Sequence, residues 1–475
     1  MENMKKSIWK NLAKVFFSQG LSVFSGVMVG FIIPKILGVE EYGFYRTYTM
    51  YFTYTSLLHF GFVDGILLKY SGQDYDNLNK YKLRALTTFY MIFELIFSIL
   101  VLLIGITFQD KNYKFMAVMI AINLFITNTT TYYQFISQAT QRFSEFALRN
   151  VVLSFGRGGI ALIGLVVYQY TEKIVSYKYY LAFLTLLELG VLVWYITTYN
   201  DITFGKKEKI SHIKSDIKML FKTGIVLTVA YQIGHLILLL DRQFVSIYFD
   251  NEIYANYSFA YSIIGLFTTL VASISTVMFP VLKSLTAEQA VGRYETLSRV
   301  VIIIAAATLC AYYPISFIIK EMLPEYLQSV WYLKLIIPTL LLSTPISVVG
   351  FTFFKVLDQN QKYLNISLLI FVIGVALNFV GLKIVRQPEI LAIVSLFTMI
   401  CWYVAINGFL WCVYKIKFMK VFIYIITVLC AYFFSFFMIR SDIISTVMYF
   451  IAFSITFVFF YKRDFGEWVQ GIQKK

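Results

Sequence analysis

Apolar segments long enough to cross a lipid bilayer follow one another through almost the whole sequence. About fourteen can be distinguished, because a bilayer core requires about 20 apolar residues per helix. Charged residues make up only 14% of the chain, and 59% of the residues are hydrophobic. A soluble protein carries roughly a quarter charged residues, and no connector here is long enough to form a soluble domain. The sequence therefore predicts an all-α polytopic membrane protein whose function resides among its helices.

The predicted helices form two groups of six and a final pair. Their approximate spans are 12–38, 43–68, 84–107, 114–138, 149–169, 178–199, 217–247, 253–281, 296–319, 329–355, 364–386, 389–414, 419–439 and 443–461. The basic connector 200–216 separates an N-terminal lobe (1–199, helices 1–6) from a C-terminal lobe (217–414, helices 7–12), and 415–475 holds helices 13 and 14 with the tail. The segments Tyr42-Gly43-Phe44-Tyr45 and Tyr254-Ala255-Asn256-Tyr257 open the second and eighth spans. Because a six-helix offset preserves direction through the membrane, this echo favours two parallel repeats.

The net charge of +15 is distributed over the loops between the apolar segments. It forms no block or stripe that could contact the phosphates of a nucleic acid, so no nucleic-acid partner is expected. Lysine and arginine concentrate in the loops on the N-terminal side of the membrane, which predicts that both termini are cytoplasmic. The first apolar run is too long for a signal peptide, so no cleavable leader is expected. The four cysteines lie in apolar runs and are expected to pack as small hydrophobes.

Polar residues recur at helical spacing inside several spans. In the fourth span, Asn123, Thr127, Thr130 and Gln134 fall on one helix face, which is too polar for contact with lipid and indicates a water-filled cavity. Two further stripes are expected to support close packing through small residues and interhelical hydrogen bonds. These are Ser18, Ser22 and Ser25 in the first span, and Thr339, Ser343 and Ser347 in the tenth, where Pro338 and Pro345 are expected to bend the helix.

A charge at mid-membrane costs roughly 2.5–3.5 kcal/mol, so each ionisable residue in a span should face a partner or a wet cavity. The basic candidates are Arg46, Arg157, Arg242 and Lys355; the acidic ones are Asp64, Glu94, Glu188 and Asp241; His59 and His235 could titrate near neutral pH. Residues near span ends, such as Arg46, Lys355 and Asp64, have the alternative of extending to the interface. Glu94 and Glu188 are either structural partners of Arg157 or ion-coupling groups, and His235 is either a packing residue or a cavity residue.

Motifs of soluble enzymes are absent from the sequence. It contains no phosphate-binding loop, no dinucleotide fingerprint and no His/Cys metal cluster. The segment Gly156-Arg157-Gly158-Gly159 lies within a span and predicts close helix packing. A membrane glycosyltransferase or polymerase would need a long outer loop with catalytic residues, and none occurs here. The protein is therefore not expected to be an enzyme.

Several segments resemble the polysaccharide-exporter branch of the MOP superfamily, which includes the O-antigen and capsule flippases (Wzx-type). They are Ile36-Leu37-Gly38-Val39-Glu40-Glu41-Tyr42-Gly43-Phe44-Tyr45, then His59 to Gly65, then Asp241-Arg242, Tyr248-Phe249 and Tyr254 to Tyr261. The resemblance implies two six-helix lobes forming a V, a central cationic cavity and two added C-terminal helices. It also implies export of polyprenyl-diphosphate-linked oligosaccharide repeat units across the bacterial cytoplasmic (inner) membrane. The partners implied are this glycan lipid, membrane lipids and a polysaccharide polymerase complex.

The residues offer a physical route for such a substrate. Arg46, Arg157, Arg242 and Lys355 could bind the diphosphate, Asn123, Gln134, His235 and tyrosines could bind the sugars, and the prenyl tail could stay in lipid. Rocking of the lobes would then expose the cavity to each side in turn. No cofactor is expected, while proton or sodium coupling through Asp64, Glu94, Glu188 or Asp241 stays open. The alternatives are a cation-coupled multidrug exporter of the same fold with an acid-lined cavity, a membrane glycosyltransferase or polymerase, and a scaffold subunit without transport.

Overall fold

The computed structural model describes residues 2–283, 285–439 and 441–473, with side-chain surroundings for 25–268, 278, 282–283, 285–439 and 441–461. Within these residues the chain is helical and contains no strand, and eleven helices are long and apolar enough to cross a membrane. The predicted all-α, multi-pass class is therefore confirmed. The α-helices are α1 Glu2–Thr53, α2 Phe62–Tyr70, α3 Lys80–Gly105, α4 Lys111–Ala139, α5 Phe143–Thr171, α6 Tyr177–Thr198, α7 Asn200–Thr203, α8 Ile210–Tyr248, α9 Asn251–Lys283, α10 Ala287–Thr308, α11 Tyr312–Met322, α12 Leu327–Ile336, α13 Leu340–Pro345, α14 Phe351–Val356, α15 Asn360–Ile384, α16 Pro388–Tyr414, α17 Met419–Met438 and α18 Asp442–Gln473.

The first two predicted spans differ from the structure in where the chain turns. Gly38 has φ 65° and ψ 176°, which breaks α1 into two helices at the predicted turn. The second predicted span, 43–68, is not one continuous helix. Between α1 and α2 the chain forms a 3₁₀ turn, Tyr54–His59, followed by Phe60 and Gly61 in left-handed conformations. The Nδ1 atom of His59 accepts a hydrogen bond from the Gly61 N–H (3.1 Å) and so stabilises this break.

Close contact between α2 and α8 explains the glycines at the break. A Cβ atom on Gly224 would lie 1.8 Å from the carbonyl oxygen of Gly61, and one on Gly65 would lie 2.3 Å from that of Leu220. The backbones can approach this closely only because these positions lack side chains. Near the start of α8, Asp216 forms salt bridges with Lys69 and with Lys82 (2.7 Å to Lys82).

The chain divides into two units, and the division lies within α8. The first unit comprises Met1–Leu239 and Asp250–Ser258, and the second comprises Leu240–Phe249 and Phe259–Lys475. The lobes predicted on either side of the connector 200–216 stay a prediction, and the connector itself is bound to the first unit. Arg84 donates hydrogen bonds to the carbonyls of Asp201 (2.6 Å) and Lys206 (3.0 Å). These bonds and the glycine contact hold most of α8 in the first unit.

The two segments of the sequence echo lie against one another in the first unit. Asn251 donates a hydrogen bond to the Glu40 carbonyl (2.8 Å), and a Cβ atom on Gly43 would lie within 2.4 Å of the Asn251 side chain. The hydroxyl of Tyr254 donates to the Arg46 carbonyl (3.2 Å). The two segments of the echo thus meet in a physical contact between the turn in α1 and the start of α9.

In the second unit, the predicted bends of the tenth span are present. Pro338 lies in the 3₁₀ turn Ile337–Thr339, and Pro345 ends α13 where a π-helical turn, Ile346–Gly350, begins. A proline lacks the N–H that would continue an α-helix, which accounts for both interruptions. The hydroxyls of Thr339 and Ser347 donate to carbonyls of their own helical segment. The Ser18 and Ser22 side chains of the other predicted stripe lie outside the described residues.

Replacing Gly224 by alanine tests the α2–α8 contact. The Gly224→Ala variant should lower the thermal unfolding midpoint of the detergent-purified protein strongly, because overpacking costs about 1–3 kcal/mol even where the clash is smaller. Gly190→Ala is the matched control, since nothing lies within 4 Å of a Cβ at that helical position. The control should unfold at the wild-type temperature or above it. Equal midpoints for the two variants would show that the contact does not contribute to stability.

Candidate functional site

A cavity of about 630 Å³ lies within the first unit, among α1, α4, α5 and α6. Its lining combines hydroxyl and amide side chains, aromatic rings and one pair of opposite charges. The lining includes Ser25, Tyr45, Tyr48, Thr49, Phe52, Asn123, Thr127, Thr130, Thr131, Gln134, Asn150, Ser154, Arg157, Tyr180, Thr185 and Glu188. These groups can hydrogen-bond a neutral polar ligand and contact its apolar faces.

The polar side of the cavity comes from α4. All four residues of the predicted stripe line it, because their spacing places them on one helix face. Asn123 is fixed by hydrogen bonds to the Met119 carbonyl (2.9 Å) and the Thr185 hydroxyl (2.8 Å), whereas the hydroxyl of Thr130 donates to its own helix. The Gln134 amide makes no hydrogen bond within the described structure and is available to a ligand. That these residues bind a substrate stays a prediction.

The charged side of the cavity is an ion pair between α5 and α6. A guanidinium nitrogen of Arg157 lies 2.5 Å from Glu188 Oε1. The Arg157 side chain is 51% exposed and that of Glu188 16%, so the arginine keeps donors facing the cavity. Among the described lining residues these are the charged ones, and their charges cancel. The pairing matches one of the two predicted roles of Glu188, that of a structural partner for Arg157.

Small residues around Arg157 allow the helices to approach closely. A Cβ atom on Gly156 would lie 2.6 Å from the Leu187 side chain, and one on Gly158 would lie 3.2 Å from Ser25 Oγ. Ser25 donates a hydrogen bond to the Ser154 carbonyl (2.6 Å) and so joins α1 to α5. The glycine-rich segment in α5 therefore packs helices together, as the sequence predicted.

The aromatic side of the cavity was missed by the sequence reasoning. The rings of Tyr45 and Tyr180 meet edge to face at 5.4 Å, and those of Tyr48 and Phe52 stack at 5.6 Å. Thr49 of the same helix also lines the cavity, whereas the basic candidate Arg46 is not among the described lining residues. The helical spacing of residues 45, 48 and 52 was the signal that could have identified the aromatic face.

The other basic candidates occupy separate environments. Arg46 lies 6.0 Å from the centre of the Tyr42 ring, and its buried Nε atom has no hydrogen-bond partner in the described structure. Arg242 and Lys355 belong to the second unit. The Arg242 guanidinium lies 4.3 Å from the centre of the Tyr261 ring, and Lys355 Nζ lies 4.1 Å from that of Phe351.

Three acidic candidates accept hydrogen bonds from neighbouring helices. Glu94 is fully buried, and its Oε2 atom accepts from the Asn128 amide (2.8 Å), while Oε1 has no partner in the part of the chain that the structure describes. Asp64 accepts from the Thr228 hydroxyl, and Asp241 accepts from the Tyr261 hydroxyl. The described hydrogen-bond partner of Glu94 is therefore Asn128 and not Arg157, its predicted structural partner.

The remaining candidate, His235, has an aromatic neighbour. His235 packs its ring against Tyr231 at 4.6 Å, edge to face. Within the described residues, no group of three or more His, Cys, Asp or Glu side chains is arranged to hold a metal ion.

Comparison with known proteins gives a sequence family and a fold. The family described as polysaccharide biosynthesis protein matches residues 8–286. The lipid II flippase MurJ in an inward closed conformation has a similar structure (TM-score 0.67, 14% identity, 95% of this chain and 98% of that one). An inward-facing multidrug resistance MATE transporter of the MOP superfamily also matches (TM-score 0.61, 14% identity, 84% and 94%).

A third similar structure is a MOP superfamily transporter from Pyrococcus furiosus Vc1, described as having a binding pocket of reverse polarity (TM-score 0.57, 14% identity, 88% of this chain and 96% of that one). At this level of identity the three structures establish the fold and nothing further. No curated protein matches the chain in sequence.

A double-mutant cycle tests the ion pair in the cavity. Arg157→Gln and Glu188→Gln should each lower the thermal unfolding midpoint, because each leaves a charge without its partner. The double variant should be less destabilised than the sum of the two, with a coupling of about 0.5–1 kcal/mol for a pair this exposed to water. Lys173→Gln, which removes an exposed charge outside the cavity, is the control. Strict additivity would mean that the two side chains do not interact.

Proposed function

The chain belongs to the polysaccharide biosynthesis protein family, and from that membership we propose that it is a flippase for polyprenyl-diphosphate-linked oligosaccharide repeat units. The observation that carries the proposal is the cavity of the first unit, with its neutral hydrogen-bonding side, its aromatic side and its half-exposed arginine. The glycan would be of the O-antigen or capsule type. The function is transport and not catalysis.

Binding of sugars would account for most of the side chains that line the cavity. Sugar hydroxyls both donate and accept hydrogen bonds, which suits the amide of Gln134 and the hydroxyl of Thr127. The less polar faces of sugar rings pack against aromatic side chains, which suits Tyr45 and Tyr48. A volume of about 630 Å³ lies within the range of small-ligand sites and would hold the part of the headgroup next to the lipid.

Binding of the diphosphate would account for the arginine in the cavity, Arg157. A guanidinium binds phosphate through a planar fork of N–H donors, and Glu188 occupies one edge of that fork. The exposed edge of Arg157 would meet the first phosphate oxygen, and full contact would require the phosphate to compete with Glu188. Arg46, which has a buried Nε atom without an acceptor, is the second candidate in the same unit. Arg242 and Lys355 remain candidates in the second unit.

The prenyl chain would stay in the hydrocarbon of the bilayer, since burying each CH₂ group there is worth about 0.8 kcal/mol. Only the polar headgroup would then cross through the protein. Alternating access by rocking of repeat-related bundles provides the movement, as in transporters built from repeats. Both termini would lie in the cytoplasm and the protein in the bacterial cytoplasmic membrane, where a polymerase complex would receive the exported unit.

The alternative of a cation-coupled multidrug exporter has the same fold. Its cavity was expected to be lined by acids, whereas the described lining of this cavity has one acid and one base. This balanced lining, together with membership of the polysaccharide biosynthesis protein family, favours the glycan lipid over a cationic drug. Transport of a cationic dye, with no transport of the glycan lipid, would support the exporter instead.

Variants of Arg157 test the diphosphate site. In proteoliposomes with a labelled polyprenyl-diphosphate oligosaccharide, Arg157→Gln should reduce flipping roughly 10- to 100-fold, since a charged hydrogen bond is worth about 1.5–3 kcal/mol. Arg157→Lys should be partly active because it keeps the charge but loses the fork. Glu188→Gln should increase the apparent affinity for the lipid by removing the competing carboxylate. Lys173→Gln is the control, and wild-type flipping by folded Arg157→Gln would rule out this site.

Glu94→Gln tests proton coupling. Glu94 is fully buried and accepts a hydrogen bond from the Asn128 amide, and a charge without a counterion at such a position is strongly disfavoured. The amide keeps the acceptor for Asn128, so the variant should fold normally. If Glu94 exchanges a proton during transport, flipping should lose its response to an imposed proton gradient, while exposed Glu172→Gln keeps it. An unchanged response in Glu94→Gln would assign Glu94 a structural role.

A further inference from the structure

A second concave surface of the first unit differs from the polar cavity in its chemistry. It is a groove of about 530 Å³ lined by five apolar side chains and two lysines. The lining residues are Phe60, Phe93, Phe97, Phe221, Ile225, Lys218 and Lys222. The groove shares no residue with the described lining of the cavity and contains no hydroxyl or amide side chain for a sugar.

The apolar part of the groove is a wall of phenylalanine rings. The Phe60 ring lies 5.3 Å from that of Phe97 and 6.1 Å from that of Phe93, and Phe93 lies 5.4 Å from Phe221. Phe60 is 39% exposed and has φ 46°, a left-handed conformation that is strained for a bulky side chain. The strained backbone at the helix break thus presents an aromatic ring to the groove and leaves it partly uncovered.

The polar part consists of two lysines that have no counterion among the described residues. Lys218 and Lys222 are both exposed, lie four residues apart on one face of α8 and form no salt bridge with the described residues. Like charges at this spacing repel each other. By contrast, Lys69 and Lys82 both bind Asp216, a few residues earlier in the same helix. An anion between Lys218 and Lys222 would remove the repulsion.

The apolar part and the lysine part of the groove are placed to suit the acyl chain and the headgroup of a lipid. The Lys82–Asp216 salt bridge sets the starts of α3 and α8 at one level. Lys218 and Lys222 follow Asp216 by two and six residues, which is at most about two helical turns. Phe221, next to Lys222, contacts Phe93 (5.4 Å between ring centres), and Phe97 lies about one turn further along α3. The lysines can extend their ammonium groups towards the headgroup region, and the rings remain in the hydrocarbon.

We propose that this groove binds an anionic glycerophospholipid of the bilayer. Lys218 and Lys222 hold its phosphate, and an acyl chain packs against Phe60, Phe93 and Phe97. Basic pockets between membrane helices recognise anionic headgroups in this way. The occupant is a bilayer lipid and not the glycan substrate, because the described lining of the groove has no hydroxyl, amide or carboxylate that could accept hydrogen bonds from sugar hydroxyls. The site is independent of the proposed transport function.

Lipid binding to the purified full-length protein tests the site. Phosphatidylglycerol, added in detergent, should raise the thermal unfolding midpoint and appear as a bound lipid in native mass spectrometry, whereas phosphatidylcholine should do neither. Lys218→Gln with Lys222→Gln should weaken phosphatidylglycerol binding on the order of tenfold or more, given the usual contribution of each lysine near an anionic lipid surface. Lys209→Gln with Lys214→Gln is the matched control, since it removes two exposed lysines from the same region and should bind as the wild type does.

Three outcomes would overturn the proposal. Equal weakening in the groove pair and the control pair would indicate general charge attraction, and equal binding of phosphatidylcholine would indicate apolar contact alone. Binding of polyprenyl phosphate without any binding of phosphatidylglycerol would assign the groove to the substrate. Phe97→Leu should weaken phosphatidylglycerol binding while leaving the protein folded, which separates the acyl contact from the headgroup contact. Loss of flipping is not among the readouts, so failure of this site and failure of the proposed transport remain distinguishable.

Discussion

The absence of water from the bilayer core constrains every part of this chain. Backbone polar groups must pair within helices, and polar side chains must find partners inside the protein or face a hydrated cavity. The fourth helix shows the consequence most directly, since its Asn123, Thr127, Thr130, Thr131 and Gln134 side chains line one cavity of the first unit. The fully buried Glu94 shows the other solution, in which a carboxyl is covered by neighbouring helices and bonded by Asn128. In both cases the polar side chains lie where they avoid contact with the hydrocarbon of the bilayer.

Glycine contacts decide where the helices can break and how closely they approach. The Gly61–Gly224 contact brings α2 and α8 to backbone distance, and the left-handed conformations of Phe60 and Gly61 interrupt the helix at the same place. The carbonyls exposed by this interruption are bonded by side chains of neighbouring helices: Asn128 donates to the Thr55 carbonyl (3.2 Å) and Gln232 donates to that of Thr53 (2.9 Å). The break is therefore part of the packing and not a local defect, and it places Phe60 in the lipid-binding groove that we propose.

Sequence periodicity predicted the features that depend on one helix alone. The helical class, the shared face of Asn123, Thr127, Thr130 and Gln134, and the bends at Pro338 and Pro345 all follow from spacing and residue type. Features that depend on contact between distant helices could not be predicted. The Asp216 salt bridges and the glycine contact join α8 to the first unit, and neither leaves a periodic signal. Likewise, the cavity face of α1 includes Tyr45, Tyr48 and Phe52, and the rotation of that helix is set by its neighbours.

The pairing of Arg157 with Glu188 changes the electrostatic picture that the family resemblance implies. A strongly cationic cavity would bind a diphosphate tightly, but it would also release the diphosphate slowly and would be costly to insert without a counterion. At the proposed diphosphate site, a guanidinium already neutralised by a carboxylate would avoid both problems, because the anionic ligand would exchange with Glu188 and would not meet an isolated charge. The net gain on binding would then be smaller than for an isolated guanidinium. Such a balance suits a carrier, which must take up and release the same headgroup within one cycle, better than it suits a receptor that retains its ligand.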